Sequence, residues 1–130
     1  MLDHVSITVF DIDPCEHFYD AIMQALGYPK VRRSEERLGY GERCNADRPD
    51  GSYLSVKLGD RPEPAYSRHW CFKAHSRSTV DQFWLAGIEH GGQDDGEPGL
   101  RPEYHPDYYA AFLVDPSGNR IEAVCHLRAT

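Results

Sequence analysis

One order of elements can be read twice along this chain, and that repeat restricts the fold more than any other feature. The first copy opens with "LDHVSITV", which alternates: Val5, Ile7 and Val9 fall on one face, Leu2, His4, Ser6 and Thr8 on the other. In "DIDPCEHFYDAIMQALGYPK", Phe18, Ile22 and Leu26 recur at helical spacing. Asp13 is placed to cap that helix, with Pro14 in its first turn and Glu16 at the capping-box position, and Gly27 ends it. Strands are predicted next over about residues 30–34, 38–42 and 52–58, with "CNADRPDGS" as a loop.

After the Pro-rich connection "GDRPEPAYS" the order returns. "HWCFKA" alternates as a strand, and "SRSTVDQFWLAGI" reads as a helix capped by Ser76, with Val80, Phe83 and Trp84 inward. "GGQDDGEPGLRPEYHPD" is long and turn-rich. "YYAAFLV" is a strand, "DPSG" a turn with proline second and glycine fourth, and "NRIEAVCH" the last strand. The reading is a single α+β domain of two βαβββ modules, about 1–60 and 67–130. Register supports the repeat. His4 and His69 each stand one residue before an apolar alternation, and aligning "GSYLSVKL" with "GNRIEAVC" sets Ser55 against Glu122.

Composition removes several function classes. The 130 residues are 40% hydrophobic and 12% aromatic, enough to bury a core, and carry a formal net charge of −7. That charge gives no basic stripe for nucleic acid. No run approaches the roughly 18 apolar residues of a membrane-spanning helix, and the N-terminus does not read as a signal peptide. Cys15, Cys44, Cys71 and Cys125 form no CxxC pair and read as reduced thiols, most of them small buried hydrophobes, in a cytoplasmic protein.

Strand parity brings out a constellation. His4 lies opposite Val5, Ile7 and Val9; His69 lies opposite Trp70, Phe72 and Ala74; Glu122 lies opposite Ile121, Ala123 and Cys125. The apolar sets can pack on helices, leaving His4, His69 and Glu122 on the other side of the sheet, which is a pocket if the sheet curls. Two imidazoles and a carboxylate suit a divalent ion such as iron, manganese, zinc, nickel or cobalt, with positions open to substrate. The alternative is three unrelated polar residues on a solvated sheet face. "LRPEYHPDYYAAF" adds a candidate substrate loop: Arg101 to hold an anionic group, Tyr104 or His105 to move protons. Tyr108 and Tyr109 point to opposite faces, so at most one lines the pocket, and Tyr109 is taken as that residue. His126 shares the Glu122 face and could act as its neighbour. His17, His75 and His90 read as surface or capping residues.

"LDHVSITVFD", "FYDAIMQALGY" and "YYAAFLVDPSGNRIEAV" resemble the vicinal oxygen chelate superfamily, which includes glyoxalase I, fosfomycin-resistance thiol transferases, bleomycin-resistance proteins and extradiol dioxygenases. The resemblance covers nearly the whole chain. It implies paired βαβββ modules forming an open, cup-like mixed sheet, with metal ligands at His4, His69 and Glu122 and a further role for Glu122 in catalysis. A fourth position, a carboxylate in glyoxalase I, falls on Ser55, which is a poor ligand and is grouped with the substrate residues. The implied activity is that of a metal-dependent lyase, thiol transferase or dioxygenase acting on a small molecule. The alternative is a metal-free protein that sequesters a ligand. The resemblance also implies a homodimer, with His4 of one chain able to meet His69 and Glu122 of the other.

Overall fold

In the computed structural model, residues 1–60 and 68–129 are described. The two modules are β1 (His4–Val9), α1 (Ile12–Leu26), β2 (Lys30–Arg33), β3 (Arg37–Gly41) and β4 (Tyr53–Leu58), then β5 (Trp70–Lys73), α2 (Arg77–Glu89), β6 (Gln93–Leu100), β7 (Tyr109–Val114) and β8 (Arg120–Cys125). Each module builds a four-stranded mixed sheet, ordered β1-β4-β3-β2 and β5-β8-β7-β6, with β1–β4 and β5–β8 parallel and the other pairs antiparallel. Most of the Pro-rich connection lies outside the described residues. No helix among the described residues is long and apolar enough to cross a membrane.

The repeat holds, with two local differences. Helix α1 starts at Ile12 behind an extended Asp11, so Asp11 rather than Asp13 is the capping position, and its side chain makes no capping bond. Pro14 therefore sits inside the first turn, where its missing N–H has no intrahelical partner to lose. Glu16 serves no capping box; it pairs with Lys30 and Arg33 of β2. The second difference is β6, which occupies the stretch read as turns. Gly96 and Pro98 hide it in the sequence, and both are tolerated because β6 is an edge strand with register shifts against β7. Ser76 caps α2 as expected, accepting from the Thr79 N–H at 3.1 Å.

One hydrophobic core serves both modules. Ile7, Val9, Leu38, Tyr40, Leu54 and Val56 of the first sheet join Ala111, Leu113, Ile121, Ala123 and Cys125 of the second. Phe18, Ile22 and Leu26 of α1 and Val80 and Phe83 of α2 fill the space between, with α1 packed on α2. The turn between β7 and β8 adds a polar clasp on β1. Ser117 Oγ accepts from the Phe10 N–H at 3.1 Å, and Asn119 Nδ2 donates to the Thr8 carbonyl at 2.9 Å. Since the helix sides of both sheets turn into one core, their opposite faces, carrying His4 and Glu122 respectively, both point away from it.

Candidate functional site

Glu122 is the centre of the second module's outer face. It is 2% exposed, and a carboxylate so buried requires partners for both oxygens. It has them: His69 Nε2 lies 2.7 Å from Oε1, and the Tyr108 hydroxyl donates to Oε2 at 2.5 Å. Antiparallel register puts Phe112 directly opposite Glu122, and its ring lies 6.1 Å from that of His69. Desolvation first, and the Glu122 carboxylate second, push the Tyr108 phenol and the Cys71 thiol well above their ordinary ranges.

The residues predicted for a substrate loop divide. Arg101 lies over Phe112, its guanidinium carbon 5.5 Å from the ring centre, and donates to the Glu97 carbonyl at 2.7 Å. Tyr104 packs on Tyr108 with tilted rings whose centres are 4.8 Å apart, and His105 meets both Tyr108 and His126. All three therefore gather near Glu122. Tyr109 does not. It pairs with Cys125 in the register, on the helix side, and its hydroxyl donates to Asp81 of α2 at 2.7 Å. Tyr108 takes the place given to Tyr109. The pairing across "DPSG" could have shown this: with Phe112 opposite Glu122, parity carries Tyr108 to the same face.

His4 and Ser55 belong to the other sheet. The His4 imidazole is exposed and lies 2.7 Å from Asp3 Oδ1. Ser55 is paired with Ser6 and Gly39, and its buried Oγ has no hydrogen-bond partner. Tyr53, opposite His4 in the register, covers this face, with Arg43 over its ring at 5.1 Å. A cleft of about 620 Å³ opens beside Tyr53, lined by Arg32, Arg43 and Arg48 among others, with none of the second module's donors in its wall. The structure thus brings His69 and Glu122 together and leaves His4 apart. Among the described residues of one chain, no three His, Cys, Asp or Glu side chains form a group that could hold a metal ion.

The His69–Glu122 pair nevertheless fits an ion. An imidazole nitrogen and a carboxylate oxygen are ordinary ligands of a divalent ion, and here Nε2 and Oε1 stand side by side, 2.7 Å apart. Tyr108 on the second carboxylate oxygen would leave Glu122 one oxygen for the ion.

Two four-stranded mixed sheets that share one hydrophobic core with two helices define a protein of the vicinal oxygen chelate superfamily. The chain belongs to the glyoxalase/bleomycin resistance protein family. It is similar to the glyoxalase/bleomycin resistance protein of Albidiferax ferrireducens T118, at 32% identity over 96% of this chain and 98% of that one, with a TM-score of 0.80. At the level of fold it resembles a glyoxalase/bleomycin resistance protein/dioxygenase family enzyme of Burkholderia phytofirmans PsJN (18% identity, 96% and 98% covered, TM-score 0.70). It resembles the fosfomycin resistance protein FosX of Listeria monocytogenes in the same way (15% identity, 96% and 92% covered, TM-score 0.67). No family model matches the chain, and no curated protein matches it.

Proposed function

We propose that the chain is a metal-dependent enzyme that binds a small molecule through neighbouring oxygens, as a lyase, thiol transferase or dioxygenase. Its ligand set is His69 and Glu122 of one protomer with His4 of a second copy, in a two-fold homodimer. The observation that carries this reading is the 2.7 Å approach of His69 to the buried Glu122, with His4 on the other sheet. Glu122 offers one oxygen while Tyr108 restrains the other. Serine at position 55 leaves a place for water or substrate where a fourth ligand would otherwise stand. In this reading Arg101 orients an anionic group and Tyr104 exchanges protons at the rim. When bound, a divalent ion such as iron, manganese, zinc, nickel or cobalt would supply Lewis acidity to the chelated oxygens.

The test is complementation between variants. H4A and E122A homodimers should each lose metal, because every site in them lacks a ligand. Unfolding and refolding the two together should return about a quarter of the wild-type sites, since about half the dimers are mixed and each holds one intact site. Metal bound by the wild type but never restored on mixing would contradict a site shared between chains. No metal in the wild type, with a small molecule still retained, would instead favour a sequestering protein.

A further inference from the structure

Beside the Glu122 site lies a pair of imidazoles that the proposed chemistry does not use. The segment 101–108 closes on itself through backbone bonds from Arg101 N to Tyr108 O (2.8 Å) and from Tyr108 N to His105 O (3.2 Å). It thereby presents His105 and Tyr108 side by side. His105 Nε2 lies 2.9 Å from His126 Nδ1, just past the end of β8, and the two rings lie edge to edge with centres 5.2 Å apart and planes 28° apart.

The direction of this bond follows from its neighbour. The Asp107 backbone N–H donates to His105 Nδ1 at 3.1 Å, so that nitrogen carries no proton. The His105 proton therefore sits on Nε2 and is donated to His126 Nδ1, which must also be bare. Both rings are held as Nε2–H tautomers. The same logic excludes a second metal site here. An ion on His105 Nε2 would require a proton on Nδ1, facing the Asp107 N–H.

The Tyr108 ring is gripped by this bridge: it meets the His105 and His126 rings edge-on at 5.5 and 5.3 Å, with Tyr104 on another side at 4.8 Å. Its hydroxyl ends on Glu122 Oε2. We propose that Tyr108 is the positioning residue for Glu122, and that the His105–His126 bridge fixes Tyr108 in that role. The inference rests on the reading of Glu122 as a metal donor, because a donor's value depends on which oxygen is free and where it points.

The test uses Y108F, H126A and H126N. Asn at position 126 can place an oxygen near the lost Nδ1 and accept the His105 proton; Ala cannot. Thermal melts confirm folding. Nickel or zinc affinity, measured by competition, should fall about 10- to 100-fold in Y108F and H126A and largely recover in H126N. In metal-free protein, the ring ¹⁵N resonances of His69 should shift in Y108F and H126A and return in H126N. H126A with wild-type affinity and wild-type His69 resonances would overturn the inference. If the wild type takes up no metal, the metal reading falls alone, and the His69 resonances still decide whether Tyr108 and its bridge position Glu122.

Discussion

Tyr19, midway along α1, donates a 2.5 Å hydrogen bond to the Asp115 carboxylate, 96 residues further along the chain. Asp115 also accepts from the backbone N–H groups of Ser117 and Asn119, each at 2.8 Å, and is 3% exposed. The bond joins the first module's helix to the second module's closing turn inside the shared core. Y19F leaves the ring's packing in place but removes the donor from a buried carboxylate, which costs about 1–3 kcal/mol. The thermal midpoint should fall by several degrees; an unchanged midpoint would show the clasp to be idle.

Glu16 gives a pH dependence with a definite sign. Arg33 first, then Lys30, hold its carboxyl down to about 2, below its value in an unfolded chain. Its ionised form thus stabilises the fold, fully so above about pH 5, and that stabilisation is lost as pH falls toward the depressed value. E16Q should be less stable than wild type by about 1–2 kcal/mol at neutral pH, allowing for solvent screening. Denaturant titrations should show the gap closing with acid. A gap that widens in acid would reverse the assignment.

Gly39 makes room for Tyr53. A Cβ on residue 39 would stand 1.9 Å from the Tyr53 hydroxyl oxygen and 2.6 Å from Cζ. G39A must therefore displace a ring that is only 6% exposed, at about 1–3 kcal/mol. Paired with Y53L, which removes the obstructing end of the ring, the alanine should cost much less. Additive losses in the double variant would mean that the two residues do not meet.

Cys71 is exposed, yet desolvation and Glu122 hold its thiol in the protonated form. Alkylation by iodoacetamide at neutral pH should be slow for an accessible cysteine. E122Q removes the second of those two influences, so peptide mass mapping should show Cys71 reacting faster. Equal rates in both proteins would sever the link between thiol and carboxylate.

The βαβββ order and the faces of His4, His69 and Glu122 could be read from alternation, because a regular strand has a two-residue period. Thus His69 and Glu122 meet, and the Asp115 turn forms as "DPSG" requires. What alternation does not carry is non-local. Strand β6 breaks its own pattern with Gly96 and Pro98 and is held by its neighbour β7. Single-strand parity separates Tyr108 from Tyr109 but does not say which side is which until β7 is paired with β8. The His105–His126 bridge joins a loop to a strand end, and no spacing in the sequence records such a meeting. His4 carried the right parity, but parity is silent on whether two sheets share a side.

The back-to-back arrangement also bears on how such a chain can change over generations. Folding depends on the inner layer, where helices and sheets interlock, whereas the outer faces contribute little to that interlock. Substitutions at His4 or Arg101 can therefore alter what a face offers while the scaffold persists. Where the two faces meet in one site of a homodimer, a change on one has to suit the other, because every copy carries both.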